Sequence, residues 1–363
     1  MVRFTRRAVA QATLVLLAAG TGSAHALTFD LSFTPGTSAV EQASFVAGAA
    51  MWSALFDDNA TVKLTVGTAA LPVNVLASAG SRRLSYGYDT FYGALAADAT
   101  SALDSVALAS LSAGPAFDML INRTANNPNG AGSATAYVDS DGDANNTGVR
   151  ITAANARSLG LAFAPGGVGT ACADCDAFIQ FSTGFTWDYD RSDGIGANDF
   201  DFVGIAAHEI GHALGFISGV DILDGNSPPV NGPFDDDVFT YVSSLDLFRY
   251  SADSAALGVI DWTADQRAKY FSVDGGTTLG PSFSTGVNFG DGRQASHWKD
   301  NLMLGIMDPT SARGELLAIS QHDLDAFDVI GWNLAPIPEP STYALFGAGL
   351  GFVGWLTRRR RPA

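Results

Sequence analysis

The chain has 363 residues, enough for two average domains or one elaborated one, and 47% of them are hydrophobic, which supplies a large buried core. Its 37 acidic residues outnumber 20 basic ones, for a net charge of −17. That balance argues against nucleic acid or anionic lipid as partner and suits a soluble chain that holds cations. The first 26 residues open with Arg3, Arg6 and Arg7, continue through an apolar run from Ala8 to Ala19 and end in Ser23-Ala24-His25-Ala26. Basic, apolar and small-residue segments in that order read as a secretory signal peptide, and the apolar run is too short for an anchoring helix.

From Val40 to Phe56 apolar residues recur at helical spacing, and Asp57-Asp58-Asn59 ends the run. Thr61–Val66 alternates and predicts a strand. The Ala/Leu/Ser-rich segment from Thr90 to Ala113 predicts a helix broken at Gly93 or near Thr100-Ser101. Asn122–Gly132 is a polar loop, and Ala134–Val138 a short strand. It leads into Asp139-Ser140-Asp141-Gly142-Asp143-Ala144-Asn145-Asn146. Carboxylates at Asp139, Asp141 and Asp143 are the hard oxygen ligands of a Ca²⁺ loop, although the glycine and terminal glutamate of the full signature are missing. A solvated acidic turn is the alternative.

Ile151–Leu161 predicts a short helix capped by Gly160. Cys172 and Cys175 form Cys-Ala-Asp-Cys with no further Cys or His at metal-site spacing nearby, so in an oxidising compartment a local disulfide is expected. Ala177–Ser182 is a strong strand signal, and the expectation is that it borders the cleft, with an extended substrate pairing along it. Trp187–Asp190 reads as a turn. Asp199 or Asp201 then caps a helix from Phe202 to Leu214, with Gly215 just past its end.

That helix carries the chemistry. His208 and His212 are four residues apart, so their rings share a face and can hold one ion between them. Zn²⁺ takes neutral imidazole, and a catalytic site leaves a position for a water. Glu209, one step round, is placed to accept that water's proton and deliver it to a leaving amine. A third ligand is required. His25 departs with the signal peptide, which leaves His297, His322 or the carboxylate of Asp221.

His208-Glu209-x-x-His212-x-x-Gly215 resembles the opening of the metzincin motif, in which a third histidine follows the glycine by three residues. Here that position is Ser218. Further on, Ala295-Ser296-His297-Trp298 precedes Gly305-Ile306-Met307-Asp308-Pro309, a tight turn around a methionine. Together these segments resemble the leishmanolysin type of metzincin, whose long insertion separates the helix from a late His-Trp and a Met-turn. The resemblance implies His208, His212 and His297 as zinc ligands, Glu209 as general base and Met307 rather than Met303 as the Met-turn residue. It also implies an α+β catalytic domain with a small mixed sheet over the active-site helix. Ile319–Trp332, capped at Ser320, is then the closing helix, with His322 exposed.

The C-terminus carries Pro338-Glu339-Pro340-Ser341, an apolar stretch from Tyr343 to Leu356 and Arg358–Arg361. Physically it is a stop-transfer tail whose helix holds an exported chain transiently at the membrane. Its three parts resemble the PEP-CTERM sorting signal of Gram-negative bacteria, which implies recognition by an exosortase, removal of the tail and delivery to the envelope or beyond. A plain C-terminal anchor is the other reading.

The expected organisation is a signal peptide over 1–26, a metalloprotease domain over 27–335 and a sorting segment over 336–363. Residues 27–130 are open between the upper half of that domain and a propeptide. The expected activity is endopeptidase hydrolysis of protein or peptide substrate by a zinc-held water. A non-catalytic surface or matrix protein stabilised by zinc and calcium, and a zinc hydrolase of cell-wall amides, are the alternatives.

Overall fold

The computed structural model describes residues 27–336 together with Gly349 and Leu350. The signal peptide expected over 1–26 lies outside the described residues, as does all of the sorting tail except Pro336, Gly349 and Leu350. In chain order the upper half comprises β1 (Thr28–Phe33), α1 (Ala39–Ser53), β2 (Thr61–Ala69), β3 (Ala77–Ser81) and β4 (Arg83–Gly87). Then come α2 (Tyr88–Asp98), α3 (Ala102–Ser110), β5 (Met119–Ile121), β6 (Tyr137–Asp139), β7 (Gly148–Thr152), α4 (Ala153–Ser158) and β8 (Ala177–Ser182). The lower half continues with β9 (Trp187–Asp188), β10 (Phe200–Asp201), α5 (Phe202–Leu214), α6 (Val220–Gly225), β11 (Arg249–Tyr250) and α7 (Ala252–Leu257). It closes with β12 (Ile260–Asp261), β13 (Lys269–Phe271), β14 (Ser282–Phe283) and α8 (Gln321–Asp328).

The architecture is mixed α and β, built on several small sheets. The largest has the order β1-β2-β8-β3, with β1, β2 and β8 parallel and β3 antiparallel to β8. Residues before 82 therefore supply three of its four strands. Alternation in β2 turns Val62, Leu64 and Val66 into the core while Thr61, Lys63 and Thr65 face outward. The helices α1 and α5 pack together on this sheet. Phe45 of α1 meets Phe181 of β8 and Phe202 of α5 edge-on, each at 5.0 Å between ring centroids, a favoured aromatic geometry. Trp52 and Phe56 extend the contact to Phe327 of α8.

Several sequence boundaries are corrected. The predicted Thr90–Ala113 helix is two helices, α2 and α3, that part at Thr100-Ser101 and not at Gly93, because Ser101 and Asp104 form a reciprocal cap that starts α3. Ile151 belongs to β7, and Thr152 caps the shorter α4. The strand expected over Ala134–Val138 runs from Tyr137 to Asp139. Trp187 and Asp188, expected in a turn, pair with Phe200 and Asp201. The closing helix stops at Asp328, and its cap is Ser320 as expected.

A larger correction concerns substrate pairing. Strand β8 lies inside the sheet, with β2 on one side and β3 on the other, so its backbone groups are already engaged. The end strand beside the cleft is β3. The β8 residues carry the stronger hydrophobic signal because Ala177, Ile179 and Phe181 face the core, and a core-facing side says nothing about an open edge.

Candidate metal centre

Helix α5 is cut to length by its ends. Asp201, not Asp199, is the N-cap and accepts from Gly204 N at 2.8 Å. At the far end Gly215 adopts φ +130°, where a side chain would be strained and would press on Ile330 and Asn155. The chain thus turns sharply one residue after Leu214.

Three imidazoles converge above this helix. His212 Nε2 lies 3.1 Å from His208 Nε2 and 3.1 Å from His297 Nε2, although His297 is 85 residues further along the chain. On each ring the opposite nitrogen faces a backbone carbonyl: His208 Nδ1 donates to Ile306 O at 2.7 Å, His212 Nδ1 to Phe216 O at 2.7 Å and His297 Nδ1 to Gln294 O at 3.3 Å. A nitrogen facing a carbonyl must carry the proton, so each Nε2 presents a bare lone pair. Three lone pairs pointed at one another repel unless a cation stands among them. Burial holds His208 below its ordinary value; burial and the neighbouring His208 hold His212 down at about 3; burial and His212 hold His297 well down. The neutral, ligating form is thus favoured on all three. The donor set fits zinc: three neutral nitrogens with their orientation fixed by a carbonyl behind each ring.

Of the three candidates for a third ligand, the structure brings His297 to the other two imidazoles. His322 is exposed on α8. Asp221 lines the same cleft but does not join the imidazole group, and its carboxylate accepts from Ala295 N at 2.6 Å and Ser296 N at 3.2 Å. Ser218 N donates to Ser296 Oγ at 2.9 Å, and the Ser218 hydroxyl is bound by Asp246. Ser218 and Asp221 therefore hold the segment that brings His297 in. Sequence reasoning missed this positioning role, along with Asp246 and Ser296, since none of them belongs to a motif.

Met307 is fully buried beneath α5, whereas Met303 is 93% exposed. A Cβ on Gly211 would stand 2.4 Å from Met307 Sδ, so the glycine between the two histidines lets the methionine approach. Trp298 N donates to Met307 O at 3.0 Å, tying the His297 segment to the turn.

Glu209 is 7% exposed and, with the three histidines, lines a cleft of about 670 Å³. One wall is Asn74–Ala79 with Ser81, that is, β3 and the approach to it; the other includes Asp308–Ser311 and Gln294. Burial alone pushes Glu209 up to about 8. Arg83, half-buried on the same cleft, has no hydrogen bond or ion pair among the described residues; burial and Arg150 hold it below its ordinary value.

The other two expected sites are separate. Cys172 and Cys175 form a disulfide with Cα atoms 6.0 Å apart. Asp139 and Asp141 come together with Asp236, and not with Asp143, whose carboxylate is turned to Asn145 N.

Residues 336–361 match the PEP-CTERM protein-sorting motif. The chain is accordingly an exported protein of the Gram-negative envelope, bearing the signal read by exosortase sorting machinery. No curated protein and no solved structure matches it. No helix among the described residues is long and apolar enough to cross a membrane.

Proposed function

We propose that the chain is an exported zinc-dependent endopeptidase of the metzincin type. The observation that carries the reading is the meeting of His297 with His208 and His212, three bare imidazole nitrogens in one cleft with Glu209. A purely structural zinc site would fill its fourth position with a protein ligand, and no fourth His, Cys or carboxylate joins this group among the described residues.

His208, His212 and His297 would hold the zinc, which supplies Lewis acidity to polarise a peptide carbonyl and its attacking water. The remaining work falls to the chain itself. Glu209 accepts a proton from the attacking water at its carboxylate and returns it to the leaving nitrogen. Its buried surroundings favour the protonated acid, so Glu209 would act as a base at neutral pH only with a cation bound by the three histidines beside it. Strand β3 offers the free backbone edge along which an extended substrate can pair. Arg83 places a guanidinium with no partner among the described residues on the cleft of an otherwise acidic protein, which suits a substrate with an acidic side chain near the scissile bond.

The test is hydrolysis of a protein substrate by the purified chain, with and without phenanthroline, for wild type and Glu209→Gln. The expected result is chelator-sensitive cleavage that drops by about two orders of magnitude or more in Glu209→Gln while zinc content stays at one per chain. Cleavage undiminished in that variant, or zinc bound with no cleavage by wild type, overturns the reading.

A further inference from the structure

The acidic loop after β6 is drawn into a second polar group far from the imidazoles. Asp139 at the end of β6 and Asp141 two residues on meet Asp236, which starts a short 3-10 turn within the excursion between α5 and His297. One carboxylate oxygen from each lies within 4.8 Å of the others. Oxygens around a common Ca²⁺ sit about 2.3–2.6 Å from it, so ligand pairs on opposite sides are separated by about 5 Å. That upper bound is compatible with one cation held among the three oxygens.

Two features separate this group from a surface cluster of acids. Asp139 and Asp236 are 3% and 2% exposed, and no basic side chain pairs with Asp139, Asp141, Asp143 or Asp236 among the described residues. Burying like charges face to face without a counter-charge is costly. Burial and the neighbouring carboxylates push Asp139 up to about 7, against the opposing hydrogen bond from Asn145. The second feature is Asn145 itself, a fully buried side chain. Its Nδ2 rests on Asp139 Oδ2 at 2.8 Å, and its Oδ1 has no hydrogen-bond partner. Were the amide turned over, Oδ1 would face Asp139 Oδ2 and stand as a fourth oxygen beside the three carboxylates. Asn126 Nδ2, at 2.5 Å, and the Tyr137 hydroxyl, at 2.7 Å, each donate to an oxygen of Asp236 and fix its carboxylate toward Asp139.

We propose that Asp139, Asp141, Asp236 and Asn145 form a site for a hard divalent cation, Ca²⁺ by its all-oxygen donors, that fastens the α5–His297 excursion to the loop after β6. The sequence pattern supplies two of its carboxylates; the third comes from a residue 97 positions beyond Asp139, and Asp143 serves as a turn-forming side chain. The site neither shares residues with the zinc centre nor depends on the proposed activity.

Terbium luminescence tests it on the full chain, because the Tyr137 ring beside Asp236 can sensitise a bound lanthanide. The wild type should show saturable Tb³⁺ emission, displaced by Ca²⁺ with a stoichiometry of one. Calcium at 100 times its dissociation constant should raise the melting temperature by about 5 °C. Asp141→Asn, altered at an exposed position whose turn hydrogen bond from Asp143 N the amide oxygen can keep, and Asp236→Asn should each lose at least ten-fold in Ca²⁺ affinity. Asp237→Asn should keep it. Absence of saturable binding at millimolar Ca²⁺, or equal affinity in Asp141→Asn and wild type, overturns the proposal. Should Asp236→Asn fail to fold, Asp141→Asn decides alone.

Discussion

The indole Nε1 of Trp298 donates to Asp323 Oδ1 at 2.8 Å, joining the residue after the third imidazole to the first turn of α8. The same carboxylate accepts from Ile306 N at 2.8 Å, Met307 N at 3.4 Å and Ser320 N at 2.7 Å. One buried side chain thereby fixes the His297 segment, the Met307 turn and the start of α8. Because Ile306 in turn holds the His208 ring through its carbonyl, Asp323 stands one peptide from two of the three imidazoles.

Replacing Asp323 by Ala strands several buried donors at once. Each buried donor left without a partner costs about 1–3 kcal/mol, so we expect a loss of about 3 kcal/mol or more in denaturant unfolding. Zinc affinity should fall in parallel. A variant as stable as wild type would show that Trp298 and Ile306 find other acceptors.

Metal analysis separates the three candidates for the third position. His297→Ala should lose zinc at chelator levels the wild type withstands, and His322→Ala should bind it unchanged. Asp221→Ala should still bind zinc, about 10–100-fold more weakly, because it removes the brace under Ala295 and Ser296 and not a ligand. Equal zinc retention in His297→Ala and wild type would contradict the geometry.

Gly211→Ala introduces a methyl group where Met307 Sδ already sits. The thioether can shift, but only by pushing on the imidazoles' floor. A cost of about 1–3 kcal/mol in stability is expected, with activity reduced more than folding. Met307→Ala in the same background should recover part of the stability, which a double-mutant cycle measures.

Arg83→Ala should raise KM for peptides with an acidic residue near the scissile bond by about ten-fold or more, and leave neutral peptides nearly unchanged. Steady-state kinetics on a matched pair of peptides reads the difference. Equal effects on both would assign Arg83 to the fold of the cleft wall and not to substrate choice.

A carboxylate cluster at the seam between α2, α3 and α8 makes stability depend on pH. Burial and then Asp98 push Asp58 up from 3.8 to about 7, and burial lifts Asp98 and Asp328 to about 6. Between those values and the ordinary carboxylate range, the folded chain keeps protons that the unfolded chain has released. Stability therefore falls as pH rises from about 4 toward 7 through this cluster. Comparing wild type with Asp58→Asn isolates the contribution from any loss of zinc in acid. The variant should gain stability relative to wild type at pH 7.5, and the difference should vanish near pH 4.

The helix bearing His208 and His212 was legible because its chemistry is local: spacing, cap and terminal glycine lie within fifteen residues. His297 and Met307 were legible only through resemblance, since nothing in spacing alone joins positions so far apart. The open edge of β3 was not legible. Its sequence, Ala-Ser-Ala-Gly-Ser, has almost no hydrophobic signal, because an end strand facing a cleft does not need the apolar side chains that mark β8. Asp236 escaped notice for a similar reason. It lies among Asp235 and Asp237, indistinguishable from them until the chain folds against Asp139.

The wide separation of the third imidazole from the first two has a consequence for biogenesis. A polypeptide threaded through a membrane from its N-terminus delivers α5 long before His297 emerges. On the proposed reading, the emerging chain could not cleave the export apparatus or itself, and proteolysis would switch on only once the late segment has docked. Latency of that kind needs no inhibitory peptide, because timing is written into the order of the residues.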